Sequence, residues 1–449
     1  MARLKAILIS AVLAIGVSLQ ANQAGNGTYE HVLERLTFGA RPGDVERVRA
    51  MGLDRYIESQ LSPSTIDDQR LNARLVYFET LGLSSREVAT RYYTRPERND
   101  NEEMRDPGKR REALLPLLEL SQQKILRAAY SERQLEEVLV DFWFNHFNVF
   151  SGKGRFARFY LTEYEREAIR PHVLGRFRDM LGATAKSPAM LWYLDNWMSS
   201  ARRGLNENYG RELLELHTLG VDGGYTQQDV VNVARAFTGW TIDAPRRGGG
   251  DFIFNPRLHD QGEKTVLGQR IPAGGGVRDG ERVLDIVAAH PATARHVALK
   301  LASRLVSETP PPALVDRAAK VFLETGGDLR EVTRAIIMSP EFTSPEAMRA
   351  KVKTPFEFAI SALRATGADV SDAAPLVQQM RTLGMPLYGA QPPTGYDDTA
   401  ASWINSGALL ARMNFAVALA GNRIRGTRVN TGDAKALALT LGSVEFQRK

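Results

Sequence analysis

Cysteine is absent from the 449 residues of this chain. Its absence excludes disulfides, a thiolate nucleophile, a metal site built on cysteine and the lipid-acceptor cysteine of a lipoprotein. The fold must therefore be stabilised by its core alone. Hydrophobic residues make up 43% of the sequence, which is enough for a large core in a chain of this length.

A strong net charge is also lacking. Lysine and arginine number 58 and aspartate and glutamate 52, a formal excess of +6. Loss of Arg3 and Lys5 with an N-terminal leader would reduce that excess further. A charge this small, in a chain without an RRM, KH or helix-turn-helix pattern, gives no reason to expect nucleic acid as a partner.

Long hydrophobic runs are lacking beyond the N-terminus. There, Ala6 to Leu19 form an apolar stretch after a basic start, and small residues follow at Ala21 and Ala24. This pattern predicts a signal peptide over residues 1–24, although an uncleaved anchor would have the same pattern. After removal of the signal peptide, we expect residues 25–449 to contain no integral membrane span and to be periplasmic or secreted.

The fingerprints of several enzyme classes are missing. The sequence contains no G-x-S-x-G elbow, no Walker A motif and no G-x-G-x-x-G that opens a βαβ unit. The glycine triplets that begin at Gly248 and Gly274 are not followed by a suitable helix N-terminus. We interpret both triplets as flexible joints.

Helical spacing of apolar residues dominates what is present. It recurs from HVLERLTFG near the start to TPFEFAISALRATG near the end. Capping residues at Asp44, Ser187, Thr226 and Thr354 indicate where helices begin. The sequence therefore predicts a mainly α protein, with residues 25–449 as one large multi-helix domain carrying a small β-hairpin insertion.

Two segments depart from the helical pattern. Arg91 to Arg111 is densely charged and nearly free of aliphatic residues, which predicts a mobile, solvated insert. Between Trp240 and Ile271, short runs rich in β-branched and aromatic residues alternate with Gly, Pro, Asn and Asp. We predict a small β-element over residues 240–271.

The polar motif NENYGRELLELH, Asn206 to His217, is the first candidate site. On an α-helical projection His217 points about 140–160° away from Glu212 and Glu215, so this helix cannot form a His-plus-two-Glu cage by itself. The TQQD that follows predicts a capping box rather than a calcium loop. His217 is then either a buried, hydrogen-bonded histidine or part of a site completed by other helices.

Two further candidates contain histidine. His146, in FWFNHF, shares an apolar helix face with Phe142 and Trp143, and could meet His217 inside one bundle. His259 and Asp260 lie in a predicted loop between strands, where either function or turn chemistry would suit them. The candidate acid, base and orienting groups are Asn145, His146, Asn206, Glu207, Asn208, Glu212, His217, His259 and Asp260.

Several long motifs carry a family resemblance. HVLERLTFGARPGDV, FWFNHF, LNENYGRELLELHTLGVDGGYTQQDV and LGSVEFQRK occur in this order along the chain. The sequence resembles the bacterial domain of unknown function 1800 family over nearly all of the mature chain. The resemblance implies an exported, mostly helical protein with no established activity and no residue roles to transfer. It also implies a possible partner, because members are often encoded beside an exported protein whose fold is similar to alkaline phosphatases and sulfatases.

Two functions remain open at this point. One is a binding or assembly protein that supports the phosphatase/sulfatase-like companion, with its polar motifs forming buried networks. The alternative is an envelope hydrolase that acts on a polymer through His/Asp/Glu acid-base or metal-assisted chemistry. The sequence favours the first, because it contains no evident nucleophile or self-sufficient ligand set. It identifies no cofactor and no metal.

Overall fold

The protein is mainly α-helical, as the sequence predicts. The computed structural model describes residues 27–93, 107–244, 249–430 and 432–449. The N-terminal half of the described chain contains α1 (27–36), α2 (Asp44–Met51), α3 (Leu53–Leu61), α4 (Gln69–Leu75), α5 (Ser85–Tyr92), α6 (Pro107–Tyr130), α7 (Gln134–His146), α8 (Ala157–Glu163), α9 (Phe177–Lys186), α10 (Pro188–Tyr193) and α11 (Asn208–Glu212).

Helices continue through the second half. They are α12 (Gln227–Ala236), α13 (Val277–Ala288), α14 (Pro291–Leu305), α15 (Pro312–Glu324), α16 (Leu329–Ile337), α17 (Pro355–Ala365), α18 (Ala374–Thr382), α19 (Ala400–Trp403), α20 (Ser406–Ala420) and α21 (Ala434–Gly442). Two segments have π-helical turns, Tyr164–Ile169 and Leu213–Thr218. The buried apolar side chains form a continuous core that extends from Val32 to Leu441.

The helix starts agree with three of the four predicted caps. Ser187, Thr226 and Thr354 each accept a hydrogen bond from the first turn of the helix that follows. Asp44 was the wrong choice, because it is the first helical residue and Gly43, at a φ of 86°, precedes it. The carboxylate of Asp44 instead accepts the backbone N–H of Arg41 at 2.9 Å.

The β-element of residues 240–271 contains two antiparallel hairpins rather than one. β1 (Trp240–Ile242) pairs with β2 (Phe252–Phe254), and β3 (Lys264–Val266) pairs with β4 (Gln269–Ile271). A further short pair, β5 (Asp369–Val370) with β6 (Thr427–Arg428), joins two distant parts of the chain. These strands follow the runs that the sequence indicated, except for the third pair, whose two-residue strands are too short to predict.

The remaining predictions about organisation are tested only in part. Residues 91–92 end α5 and residues 107–111 begin α6, so the ends of the predicted charged insert are helical. Its centre, residues 94–106, and the predicted signal peptide, residues 1–24, lie outside the described residues. Among the helices that the structure does describe, none is both long and apolar enough to cross a membrane.

Two packing relations bring the candidate residues together. α7 lies between α3, α6 and the π-helical segment Tyr164–Ile169, so one of its sides is buried along its whole length. α14 packs against α15 and against the other π-helical segment, Leu213–Thr218. The ends of α7 and α14 and the segment that holds His217 therefore meet in the interior.

Candidate functional site

A cavity of about 390 Å³ is bounded by α6, α7, α14 and the loop 383–399. The last two turns of α7 contribute Asp141, Asn145 and His146 to its wall, and α14 contributes Lys300 and Arg304. Asn145 and His146 were candidates from the sequence. A cavity of this size lies within the range of small-molecule sites, so we take it as the candidate site.

Ion pairs cover the inner wall of this cavity. Lys124 Nζ lies 2.7 Å from Asp141 Oδ1, and Arg304 Nη2 lies 3.3 Å from Asp141 Oδ2. Arg304 Nη1 lies 2.7 Å from Glu357 Oε1 and 3.6 Å from Asp398 Oδ1. Burial opposes the charge of Arg304, but the surrounding carboxylates outweigh burial and raise its pKa. The guanidinium therefore stays charged and holds three chain segments together.

Aromatic rings surround the ammonium group of Lys124. It lies 5.8 Å from the ring centroid of Phe144, 5.3 Å from that of Phe356 and 5.4 Å from that of Tyr388. Such cation–π contacts stabilise a partly desolvated ammonium group. The inner end of the cavity thus has a fixed positive group set in an apolar wall.

Three histidines from different elements form a cluster, of which His146 lines the cavity. The ring centroid of His146 lies 6.3 Å from that of His217 and 6.1 Å from that of His296. His146 Nε2 donates to the carbonyl of His217 at 3.1 Å, and His296 Nε2 donates to the carbonyl of Leu216 at 3.2 Å. Because a carbonyl only accepts, the proton of each neutral ring is fixed on Nε2.

All three rings are held in the neutral form. Burial lowers the pKa of His217 to about 3, with His296 adding to the shift, and lowers that of His296 to about 4, with Lys300 adding to the shift. Burial, together with His296, Lys300 and His217, also holds the pKa of His146 well below its usual value. The cluster is therefore uncharged at neutral pH.

His217 lies in a π-helical turn rather than in an α-helix. In Leu213–Thr218 the N–H of Leu219 donates to the carbonyl of Leu214 at 2.9 Å, one residue further than in an α-helix. At the end of this segment Gly220 has a φ of 85°, and a Cβ placed there would lie 2.9 Å from His296 Nδ1. A glycine is required at this position both for its backbone conformation and for the close approach of His296.

The carboxylates of the same motif do not join the histidines. His217 is buried, whereas Glu212 and Glu215 are only partly buried. Burial and the neighbouring charge of Glu215 raise the pKa of Glu212. No described contact links either carboxylate to the ring of His217, in agreement with the projection from the sequence.

Asn206 and Glu207, which precede α11, and Asn208, its first residue, organise the start of that helix. Asn206 donates to the carbonyl of Asp195 at 3.4 Å, and its Oδ1 accepts the backbone N–H of Asn208 at 2.9 Å. Glu207 Oε2 accepts from Gln227 at 2.8 Å. These contacts explain the polar NEN sequence by local structure, and none of the three residues is among those that line the cavity.

Asn145 holds the loop that covers the cavity. Its Nδ2 donates to the carbonyl of Tyr396 at 2.8 Å, and its Oδ1 accepts the N–H of Tyr396 at 2.7 Å. Tyr396 in turn donates its hydroxyl to the carbonyl of Pro386 at 2.7 Å. Both ends of the Asn145 amide are occupied by the backbone, which makes it a positioning residue.

His259 and Asp260 belong to a separate polar cluster beside the hairpins. His259 Nδ1 lies 2.8 Å from the carbonyl of Thr238, and its Nε2 lies 3.2 Å from Asp279 Oδ2. Asp260 is paired with Arg235 at 2.9 and 3.1 Å. The structure therefore brings His146 together with His217, and the third member of that cluster is His296 rather than His259.

The sequence analysis did not single out Asp141, His296, Lys300, Arg304 or Asp398. All but the last lie within helical patterns that gave no signal beyond amphipathic spacing. One available signal was the spacing His296, Lys300, Arg304, three polar residues four apart on α14. The described residues contain no group of three or more His, Asp or Glu arranged to hold a metal ion.

Comparison with known proteins identifies the family but no characterised relative. A family model described as "Protein of unknown function (DUF1800)" matches residues 31–448. No curated protein and no solved structure matches the chain. The match covers nearly the whole sequence, so the chain belongs to this family, and the resemblance found in its motifs is confirmed.

Proposed function

We propose that this member of the family is an exported assembly protein that binds its phosphatase/sulfatase-like companion through an apolar surface on α20 and α21. We call this the α20–α21 surface. It consists of the exposed large apolar side chains of the two helices and the turn after them, namely Leu409, Leu410, Met413, Val417, Leu439 and Val444.

The exposure of these side chains is the observation that carries the proposal. Leu410 is 61% exposed, Leu439 64% and Val444 69%. Leu409, Met413 and Val417 follow one another at intervals of four residues, so they form a continuous stripe along α20. Met413 Cγ would lie 3.8 Å from a Cβ on Gly442, so the stripe continues onto α21.

The sequence of α20 places no charged side chain on the exposed face of the helix. The helix SGALLARMNFAVALA has no acidic residue, and Arg412 is directed into the core, where it donates to the backbone of Lys353 at 2.7 Å. The opposite side of the helix is buried through Phe415 and Leu419. A helix that is apolar on all sides is normally covered on all sides.

The size of the surface suits a protein partner. Its side chains expose apolar area on the order of 600 Å², at the upper limit of what a soluble monomer usually presents. With a polar rim, it would match the roughly 800 Å² that each partner buries in a standard interface. Exposed Lys435 and Asp433 at the start of α21 supply part of such a rim.

The alternative, an envelope hydrolase, has weaker support. His146 and His296 use Nε2 to hold backbone carbonyls, and Asn145 is fully occupied by Tyr396. Asp260 is held by Arg235. These are the contacts expected of groups that fix helix packing.

The proposal is tested by co-expression of the chain with an exported phosphatase/sulfatase-like protein of the same organism, followed by size-exclusion chromatography with light scattering. We expect a complex with the unchanged chain and its loss with Leu410→Glu, because a carboxylate would be buried in an apolar interface without a partner. Val76→Glu is the matched control, since Val76 is 71% exposed and lies at the end of α4.

Each result has a definite meaning. A complex that survives Leu410→Glu, or the absence of any complex, contradicts the proposal. A dimer of the chain alone that Leu410→Glu dissociates would assign the surface to a second copy instead. Circular dichroism of both variants should be unchanged, because both positions are exposed and their substitution removes little packing.

A further inference from the structure

The cavity beside His146 is lined by three cations, Lys124, Lys300 and Arg304, and by three carboxylates, Asp141, Asp397 and Asp398. One connected network of ion pairs lies behind its wall and extends from Lys124 through Arg304 to Lys449. Within the described residues, its members are the cations Lys124, Arg304, Lys351 and Lys449 and the carboxylates Asp141, Glu357 and Asp398.

Two buried arginines lie near this network. Arg35 and Arg412 both lie close enough to Glu357 for its charge to act on them. Arg35 Nε and Nη1 and Arg412 Nε have no hydrogen-bond partner among the described residues. Burial lowers the pKa of both arginines to about 10, and burial together with Arg304 lowers that of Lys449 to about 7. The hydrogen bonds described for these two arginines go to carbonyl and amide oxygens rather than to carboxylates.

Lys300 contributes a positive group at the mouth. Its side chain is exposed, it lines the cavity, and it forms no ion pair in the described part of the chain. Its charge is felt by His146 and His296, which places it beside the histidine cluster. A ligand that enters past Lys300 would therefore meet positive charge at the mouth and again at Arg304.

Two of the three lining carboxylates, Asp141 and Asp398, are paired with cations. Asp398 Oδ2 lies 2.9 Å from Lys351 Nζ, and Asp141 is shared by Lys124 and Arg304. The Asp397 carboxylate accepts the hydroxyl of Ser402 at 2.6 Å. A cationic ligand would have to displace the cations that pair with Asp141 and Asp398, whereas an anionic ligand would pair with Lys300, which has no carboxylate partner among the described residues.

Another part of the lining is apolar. Phe142, Phe144, Met385 and Leu387 all border the cavity. Such a combination of apolar walls and a few fixed polar groups is typical of sites for small organic molecules.

We propose that this cavity binds a small organic anion, with its carboxylate or phosphate group toward Arg304 and Lys300 and its apolar body against Phe142 and Phe144. The ionic network then supplies a preorganised positive site, because its arginine and lysine side chains are fixed before the ligand arrives.

Three probes of matched shape test the sign of the charge. Benzoate, phenyl phosphate and benzylammonium are titrated into the full-length protein at low ionic strength, and binding is followed by NMR line broadening and calorimetry. Probes this small should bind with dissociation constants on the order of 1 mM. We expect one or both anions to bind at least about tenfold more tightly than benzylammonium, and the tighter of the two identifies the acidic group.

Lys300→Gln is the informative variant, because Lys300 is exposed and its replacement leaves the buried network intact. It should weaken anion binding by roughly 3- to 10-fold, the effect of removing one nearby charge. Lys320→Gln, which removes an exposed lysine from α15, is the matched control and should leave binding unchanged. The proposal is overturned if benzylammonium binds as tightly as the anions, if no probe binds, or if the two lysine variants behave alike.

Discussion

Replacement of His217 by glutamine should make the protein less sensitive to acid. In the folded protein burial, with His296 adding to it, lowers the pKa of His217 to about 3, whereas a histidine in an unfolded chain has a pKa near 6.5. Between these values the unfolded chain binds a proton that the folded protein does not. The stability that His217 contributes is therefore fully present above about pH 6.5 and is lost as the pH falls toward 3.

The size of the effect follows from the two pKa values. Each pH unit within this window changes the free energy of unfolding by at most about 1.4 kcal/mol per group. Between pH 7 and pH 5, His217 should account for a loss of about 2 kcal/mol, and His296, with a pKa of about 4, for a similar amount. Glutamine does not titrate, so the free energy of unfolding of His217→Gln should fall by about 2 kcal/mol less between pH 7 and pH 5 than that of the unchanged protein.

Urea denaturation followed by far-ultraviolet circular dichroism, at pH 7 and at pH 5, measures this difference. At pH 7 His217→Gln should itself lower stability by about 1–3 kcal/mol, because the ring packs against Phe147 and His146. The test is the change between the two pH values, which should be about 2 kcal/mol smaller than in the unchanged protein. An equal change in both proteins would refute a buried neutral His217. His172→Gln, at a half-buried histidine, is the control and should alter the change less.

Two other predictions concern the loop and the N-terminus. Asn145→Ala should lower stability by about 1–3 kcal/mol and make the loop 383–399 a new site of limited proteolysis, since two hydrogen bonds to Tyr396 are lost. An unchanged cleavage pattern would contradict this role for Asn145. Protein recovered after export should begin near Asn22 or Gly25, as judged by intact mass, whereas retention of Met1 would indicate an anchor.

Much of the fold was predictable because its signals are local. Apolar spacing identifies helices such as α14 and α17, and the capping residues Ser187, Thr226 and Thr354 mark helix starts because each bonds a backbone N–H within its own first turn. The error at Asp44 has the same origin. The Asp44 carboxylate also accepts a local backbone N–H, but that of Arg41 in the turn before the helix rather than one in the first turn of α2.

The site was predictable only where one helix carries the information. The spacing of FWFNHF placed His146 on a buried face, and the projection of NENYGRELLELH placed His217 away from Glu212. The pairing of His217 with His146 was one of several possibilities, because it depends on how distant segments pack. The spacing of His296 from Lys300 and Arg304 was its only signal and did not indicate its partner, because that partner is the backbone carbonyl of Leu216 and any sequence offers a carbonyl there.

The ionic network was missed for a related reason. Arg304, Glu357 and Asp141 each occur in helices where a charged residue ordinarily faces water, and only their meeting point in the core makes them unusual. Burial of an ion pair costs several kcal/mol per ion unless its partners are fixed. A network that joins α7, α14 and α17 therefore persists only where many contacts already hold these helices in place.

Residues that are fixed by many contacts shape the cavity, whereas residues with free side chains can contact its ligand. Arg304 and Asn145 are bound on several sides, so their substitution should change stability and binding together. Lys300 has an exposed side chain at the mouth, so its substitution should change binding alone. If Lys300→Gln lowered stability as much as Asn145→Ala, Lys300 would be part of the core. It would then not be a side chain whose substitution changes ligand binding alone.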